Sequence, residues 1–189
     1  MRMSNQNDPR YVQSEHAICD ALARLLARKP LQSITMSELA REAGVSRGTL
    51  YAHFSNVGEA YERTVEHFYG QTQTIDEHFA CVSCRANRPV HPFCERLRDA
   101  GIYSGVVADE RFLPTSMRIF APKGLDTVKE KLRKAGVPDH LAHAICLFQM
   151  SGCYSVATST VADDAEWRQY QEALDCFIQG GLAALGVDV

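Results

Sequence analysis

The sequence lacks any apolar run of the roughly 18 residues that a membrane-spanning helix needs. It also lacks an excess of positive charge: 20 lysines and arginines stand against 23 aspartates and glutamates in 189 residues, a formal net of −3. The first absence excludes a helical transmembrane protein. The second excludes a histone-like protein that is basic over its whole surface, but not a small DNA-reading patch on a near-neutral body. Residues 1–10 are polar and contain no apolar stretch, so no secretory leader is expected and the location read from the sequence is cytoplasmic. There is no glycine-rich phosphate loop, no Gly-x-Ser-x-Gly elbow and no His-Glu-x-x-His pair, so the expectation is that the chain is not an enzyme. Nor does any segment alternate with the period of two that marks strands.

What is present suits a folded body. Hydrophobic residues make up 46% and charged residues 23%, which excludes disorder of the whole chain. The length allows one domain, or a small module fused to a larger one. Seven cysteines, an odd number in a chain with no expected leader, read as reduced thiols or metal ligands rather than a disulfide framework.

The periodicity is helical throughout. Val12, His16, Cys19, Ala23 and Leu26 recur at helical spacing from Tyr11 until Pro30 stops them. Thr35-Met-Ser-Glu38 reads as a capping box, with Thr35 as N-cap and Glu38 reaching back. Gly44 ends this second helix after about two turns, and Ser46 caps a third, which runs to about Phe54. A longer helix is predicted over 58–78, then further ones at about 92–100, 109–121 and 123–135, with Pro114 as a kink in the middle one. Two long helices close the chain, at about 138–160 and 164–185, the last introduced by the acidic run Asp163-Asp-Ala-Glu166. The sum is an all-α chain of about nine helices.

Two short helices joined at Gly44 are the minimum for a helix-turn-helix, in which the first braces the second against the major groove. Leu39, Ala40, Val45 and Leu50 supply the apolar contacts that fix their angle. The second helix offers Ser46, Arg47, Gly48, Thr49, Tyr51 and His53, which are mostly polar or small. Arg47 suits a phosphate or a guanine edge, Thr49 and Tyr51 a phosphate or a thymine methyl, and Gly48 a close approach of backbone to DNA.

The run from Ile34 to Phe54, and within it Gly44-Val-Ser-Arg-Gly-Thr-Leu-Tyr-Ala-His-Phe54, resembles the N-terminal domain of TetR/AcrR-type transcriptional regulators, over roughly residues 11–70. The resemblance implies that Thr35 caps the bracing helix and touches phosphate, and that Arg47, Thr49, Tyr51 and His53 contact DNA. It implies a homodimer on a palindromic operator, usually as a repressor, with a helical C-terminal body that binds a small-molecule effector and dimerises. The expected division is an arm at 1–10, a DNA-binding domain at 11–56 and a ligand-binding and dimerisation domain at 57–189. One departure stands out. Many relatives carry a lysine after the His-Phe pair, where this chain has Ser55, and only Arg41 and Arg47 are basic between residues 35 and 55.

For the effector pocket the candidates are Phe93, Leu97, Tyr103, Phe112, Met117, Phe120 and Phe148, a set of aromatic and sulfur-bearing side chains that equally suits plain core. For the dimer face they are Cys153, Val156, Phe177, Ile178, Gly181 and Leu182, on two helices rich in small residues that permit close packing. No cofactor is required by this reading.

A second reading starts from Cys81-Val-Ser-Cys84 and His91-Pro-Phe-Cys94. Thiolate and imidazole ligands at such spacings suit tetrahedral zinc, with His78 as an extra ligand. The same thiols, beside Arg85 and Arg88, suit a redox switch. Separate thiols in a helix-to-helix connection fit the pattern equally. The alternative function is therefore a zinc- or thiol-responsive regulator.

Overall fold

The computed structural model describes residues 8–70, 92–159 and 163–187, without the side chains of residues 92, 93, 120–128 and 159. Among the described residues there are nine α-helices and no strand. They are α1 (Pro9–Leu26), α2 (Met36–Ala43), α3 (Arg47–His53), α4 (Val57–Gly70), α5 (Pro92–Arg98), α6 (Ser104–Val107), α7 (Phe112–Lys134), α8 (Asp139–Ser159) and α9 (Asp164–Ala184), with short 3-10 turns at Leu31–Ser33 and Gly101–Tyr103. The all-α expectation holds. Among the described residues no helix is long and apolar enough to cross a membrane.

The local signals explain most helix ends. Asp8 caps α1 by accepting from the Arg10 N–H at 2.8 Å, and Pro9 occupies the first helical position, where its missing N–H costs nothing. α1 therefore starts two residues before the periodicity predicts. The predicted pair 109–121 and 123–135 is one continuous helix, α7. Pro114 does not kink it, because it falls in the first turn, where no intrahelical donor is needed. Asp163 caps α9 through bonds from the Ala165 and Glu166 N–H groups.

The chain divides into two compact units. The first comprises Met1–Thr72 and Ala100–Thr115, the second Gln73–Asp99 and Ser116–Val189. In the first, α1 is the central post. Ile18, Cys19, Ala21, Leu22, Ala23 and Leu25 are buried along it, and α2, α3, α4 and the 101–107 segment pack around it. Phe68 and Tyr69 of α4 meet Tyr103 and Phe112 in an aromatic cluster: Phe68 stands edge-on to Phe112 at 5.6 Å, and Tyr69 stacks on Phe112 at 5.9 Å. Tyr103 also donates its hydroxyl to Asp20 Oδ1 at 2.5 Å, tying the 101–107 segment to α1.

In the second unit Ala142, Cys146, Met150, Cys153 and Ala157 form one buried stripe along α8 at spacings of three and four. α5 packs on α8. It also packs on α9, where Glu95 Oε1 accepts from both Trp167 Nε1 (2.9 Å) and the buried Gln171 Nε2 (2.6 Å). Arg98 lies over the Trp167 ring at 5.2 Å and pairs with Asp164.

Candidate nucleic-acid interface

The interface is built from α2 and α3, and their caps come directly from the sequence. Thr35 Oγ1 accepts from the Glu38 N–H at 3.2 Å. The Glu38 carboxylate is held below the usual carboxylate range, chiefly by its bond to Lys29 and also by the Thr35 backbone N–H, so the box closes in both directions. Gly44 takes the left-handed conformation (φ 68°) that ends α2, and two bonds, Gly44 N–H to Arg41 O and Val45 N–H to Ala40 O, close the turn. Ser46 Oγ then accepts from the Thr49 N–H at 3.0 Å and pairs with Thr49 Oγ1 at 2.8 Å.

Leu39, Ala40, Leu50 and Phe54 are buried and set the two helices against α1. Ion pairs reinforce the arrangement from outside. Glu42 takes Arg24 at 3.2 Å and Arg28 at 2.9 Å, and Glu38 takes Lys29. On the other flank Arg63 of α4 holds Glu15 of α1 and Glu66. These partly exposed pairs are individually weak; their number fixes orientation more than stability.

The outward face of α3 carries Arg47, Gly48 and Tyr51, with Thr49 half-buried beside them. Tyr51 is 58% exposed. The side chains of Arg47 and Tyr51 make no hydrogen bond or ion pair among the described residues. A Cβ on Gly48 would touch only Ser46 Oγ, at 3.7 Å, so the helix presents bare backbone there.

His53 is turned differently from the other five candidates on α3 and its cap. Its ring is half-buried against α1, 3.9 Å from the Tyr11 ring, with Nε2 2.7 Å from Ser14 Oγ. The Ser14 hydroxyl gives its one proton to Tyr11 O at 2.9 Å, so Nε2 carries the imidazole proton. Nδ1 is buried without a partner among the described residues. Burial pushes the His53 pKa below the usual histidine range, with Glu15 opposing.

At the start of α4, Glu59 accepts from the Ser55 N–H at 2.7 Å while Asn56 caps the Glu59 N–H at 3.0 Å. The position where many relatives carry lysine is thus occupied by a self-contained capping box with a carboxylate in it. Spacing analysis missed this second box, although Asn56 followed by Glu59 carries its signature.

The remaining candidates fall elsewhere. Cys153, Val156, Phe177, Ile178, Gly181 and Leu182 all line one open apolar groove of about 640 Å3 on the second unit, together with Phe148. Phe148 and Phe177 are 69% and 66% exposed there. The described pocket candidates are distributed over both units. Tyr103 and Phe112 fill the core of the first unit, Leu97 is buried on α5, Met117 is half-buried on α7, and Phe148 lies on the groove. The side chains of Phe93 and Phe120 are outside the described residues. So are Cys81, Cys84 and His91, as is His78. Cys94 is buried on α5. Among the described residues no three metal-binding side chains come together.

Residues 18–56 match the family described as bacterial regulatory proteins, tetR family. No curated protein matches the chain. Among solved structures the chain is similar to MexZ, described as a key repressor responsible for antibiotic resistance in Pseudomonas aeruginosa. Identity is 21%, with 91% of this chain and 94% of that one covered and a TM-score of 0.54. It is also similar to a TetR-family transcriptional regulator from Haemophilus influenzae Rd, at 18% identity over 88% of this chain and 97% of that one, with a TM-score of 0.45. The likeness to MexZ bears on the fold: an N-terminal helix-turn-helix followed by a helical body.

Proposed function

We propose that this chain, which carries a TetR-family helix-turn-helix at residues 18–56, is a one-component transcriptional regulator that binds a palindromic operator as a homodimer. The observation that carries the reading is the face of α3, where Arg47, bare Gly48, Thr49 and a 58%-exposed Tyr51 stand on a helix capped and braced at both ends. Unpaired donors and an uncovered aromatic on a rigid short helix are what major-groove reading requires. Thr35 and Ser46, exposed at the helix N-termini, supply phosphate contacts. His53 positions the C-terminal end of α3 on α1.

The second copy seats on the apolar groove of α8 and α9. Two half-sites lie about one helical turn apart, so a small change in the spacing or tilt of the two α3 helices prevents simultaneous docking. A small molecule bound in the helical body supplies that change, and repression relieved by the effector is the favoured direction. With Arg41 and Arg47 the only basic side chains between residues 35 and 55, affinity depends more on base and aromatic contacts than on phosphate charge. The salt dependence is correspondingly shallow.

The test is selection of bound sequences from random duplex DNA, followed by titration of Arg47→Ala and Tyr51→Ala on the selected site. Each variant loses tenfold or more in affinity, in line with about 1–3 kcal/mol per base contact, while remaining as oligomeric as the parent. Recovery of no preferred sequence, or normal binding by both variants, overturns the reading.

A further inference from the structure

We propose that the first unit contains a proton-responsive latch, formed by the packed imidazoles of His16 on α1 and His67 on α4, that loosens α4 and the 101–107 segment from α1 as the pH falls below neutrality. The two rings lie 4.3 Å apart between centroids, with their planes at 48°. On its other side His67 faces the Tyr103 ring at 6.2 Å, and Tyr103 is the residue that ties the 101–107 segment to Asp20. One half-buried imidazole therefore joins its own helix, α4, to two parts of the chain distant in sequence.

The surroundings decide the sign. Among the described residues the groups facing His67 include Glu15, His16 and Asp20 from α1, Arg63 from α4 and Tyr103 from the 3-10 turn. Cys19 is close to the same set, but burial pushes its thiol up to about 12, so it stays neutral. Burial and then His16 press the His67 pKa below the ordinary histidine range, Arg63 adds to them, and Asp20 and Glu15 oppose. Neutral imidazoles pack against each other without penalty. Two imidazolium rings at this separation repel, and His67 has too little solvent around it to absorb the charge. A histidine with a lowered folded-state pKa contributes stability that is present above its unfolded value, about 6.5. That stability is lost as the pH falls through the lowered one. A charged His67 also competes with Tyr103 for the Asp20 carboxylate.

α4 follows α3 after only residues 54–56, so the seating of α4 on α1 governs how α3 is presented. The consequence for operator binding rests on the function proposed above; the latch itself does not. The test uses the full chain and His16→Gln, which removes the exposed ring of the pair without opening the core. The unfolding temperature of the parent falls by roughly 4 °C or more between about pH 7.5 and about pH 5.5 relative to His16→Gln. The His67 proton resonances titrate below the usual histidine range in the parent and move up in the variant. Operator affinity follows, falling several-fold more in the parent than in the variant. Parallel pH curves for the two proteins, or a His67 that titrates identically in both, overturn the proposal. A His16-dependent shift in melting from a protein that binds no DNA at either pH would leave the latch standing and remove the regulator reading.

Discussion

A Cβ built on Gly105 would stand 2.4 Å from the backbone nitrogen of Ala27 and 2.7 Å from its Cα. α6 thus lies directly on the C-terminal end of α1, with no room for a side chain between them. Because the obstructing atoms are main chain, they cannot swing aside. Gly105→Ala is expected to destabilise the first unit by at least about 1–3 kcal/mol, the usual cost of overpacking. Gly48→Ala is the comparison: its Cβ would make only an ordinary contact with Ser46 Oγ, and alanine favours the helix by up to about 1 kcal/mol. Urea unfolding of both variants checks the contrast. Gly48→Ala should unfold no more easily than the parent yet bind operator less well, if bare backbone at that position approaches DNA.

His53 gives the first unit a second titrating contact. Its protonation would place a charged N–H at the buried, unpartnered Nδ1. The folded-state pKa is lowered, so the neutral ring's contribution is intact above about pH 6.5 and declines as the pH falls through the lowered value. His53→Asn is expected to flatten the stability curve between about pH 5 and pH 7. Chemical unfolding across that range reads it directly; a curve as steep as the parent's counts against the assignment.

Glu95 satisfies two donors of α9 with one oxygen. Glu95→Ala is expected to cost about 1–3 kcal/mol, because the Trp167 and Gln171 N–H groups lose their acceptor while both side chains remain buried. The chain has a single tryptophan, so fluorescence follows this site alone. The emission midpoint should shift to lower denaturant in the variant, and Glu95→Gln should restore part of the loss.

Phe148 and Phe177 expose large rings on the same apolar groove. A glutamate at either position would have to be desolvated under a second copy but costs little in a free chain. Phe177→Glu is therefore expected to yield a folded monomer by light scattering, with an unchanged helical signal and loss of operator binding. A persistent dimer would place the interface on another surface.

Those elements whose determinants are local could be read from the sequence. Thr35, Ser46 and Asp163 cap the helices that their spacing indicates, and Gly44 takes the left-handed turn its position demands. Contacts made at long range left no periodic trace. Tyr103 and Phe112 have the composition of a ligand box, yet they complete the core around Phe68, because the chain returns to α1 after residue 100. His53 was legible as a residue of the recognition segment but not as one turned inward: its partners, Tyr11 and Ser14, lie about forty positions upstream. Pro114 shows the same limit from the other side, since its effect depends on where the helix begins rather than on the residue itself.

The return of residues 100–115 to the first unit has a consequence for biosynthesis. α1 emerges from the ribosome early, and its apolar residues have α2, α3 and α4 to cover most of them. The patch that Gly105 and Tyr103 occupy stays bare until some eighty further residues have been made. The helix-turn-helix unit is therefore not a separable cassette that folds as soon as its own helices appear. A fragment ending near residue 72 would carry the complete recognition helix on an unfinished support, exposed to aggregation at the open end of α1.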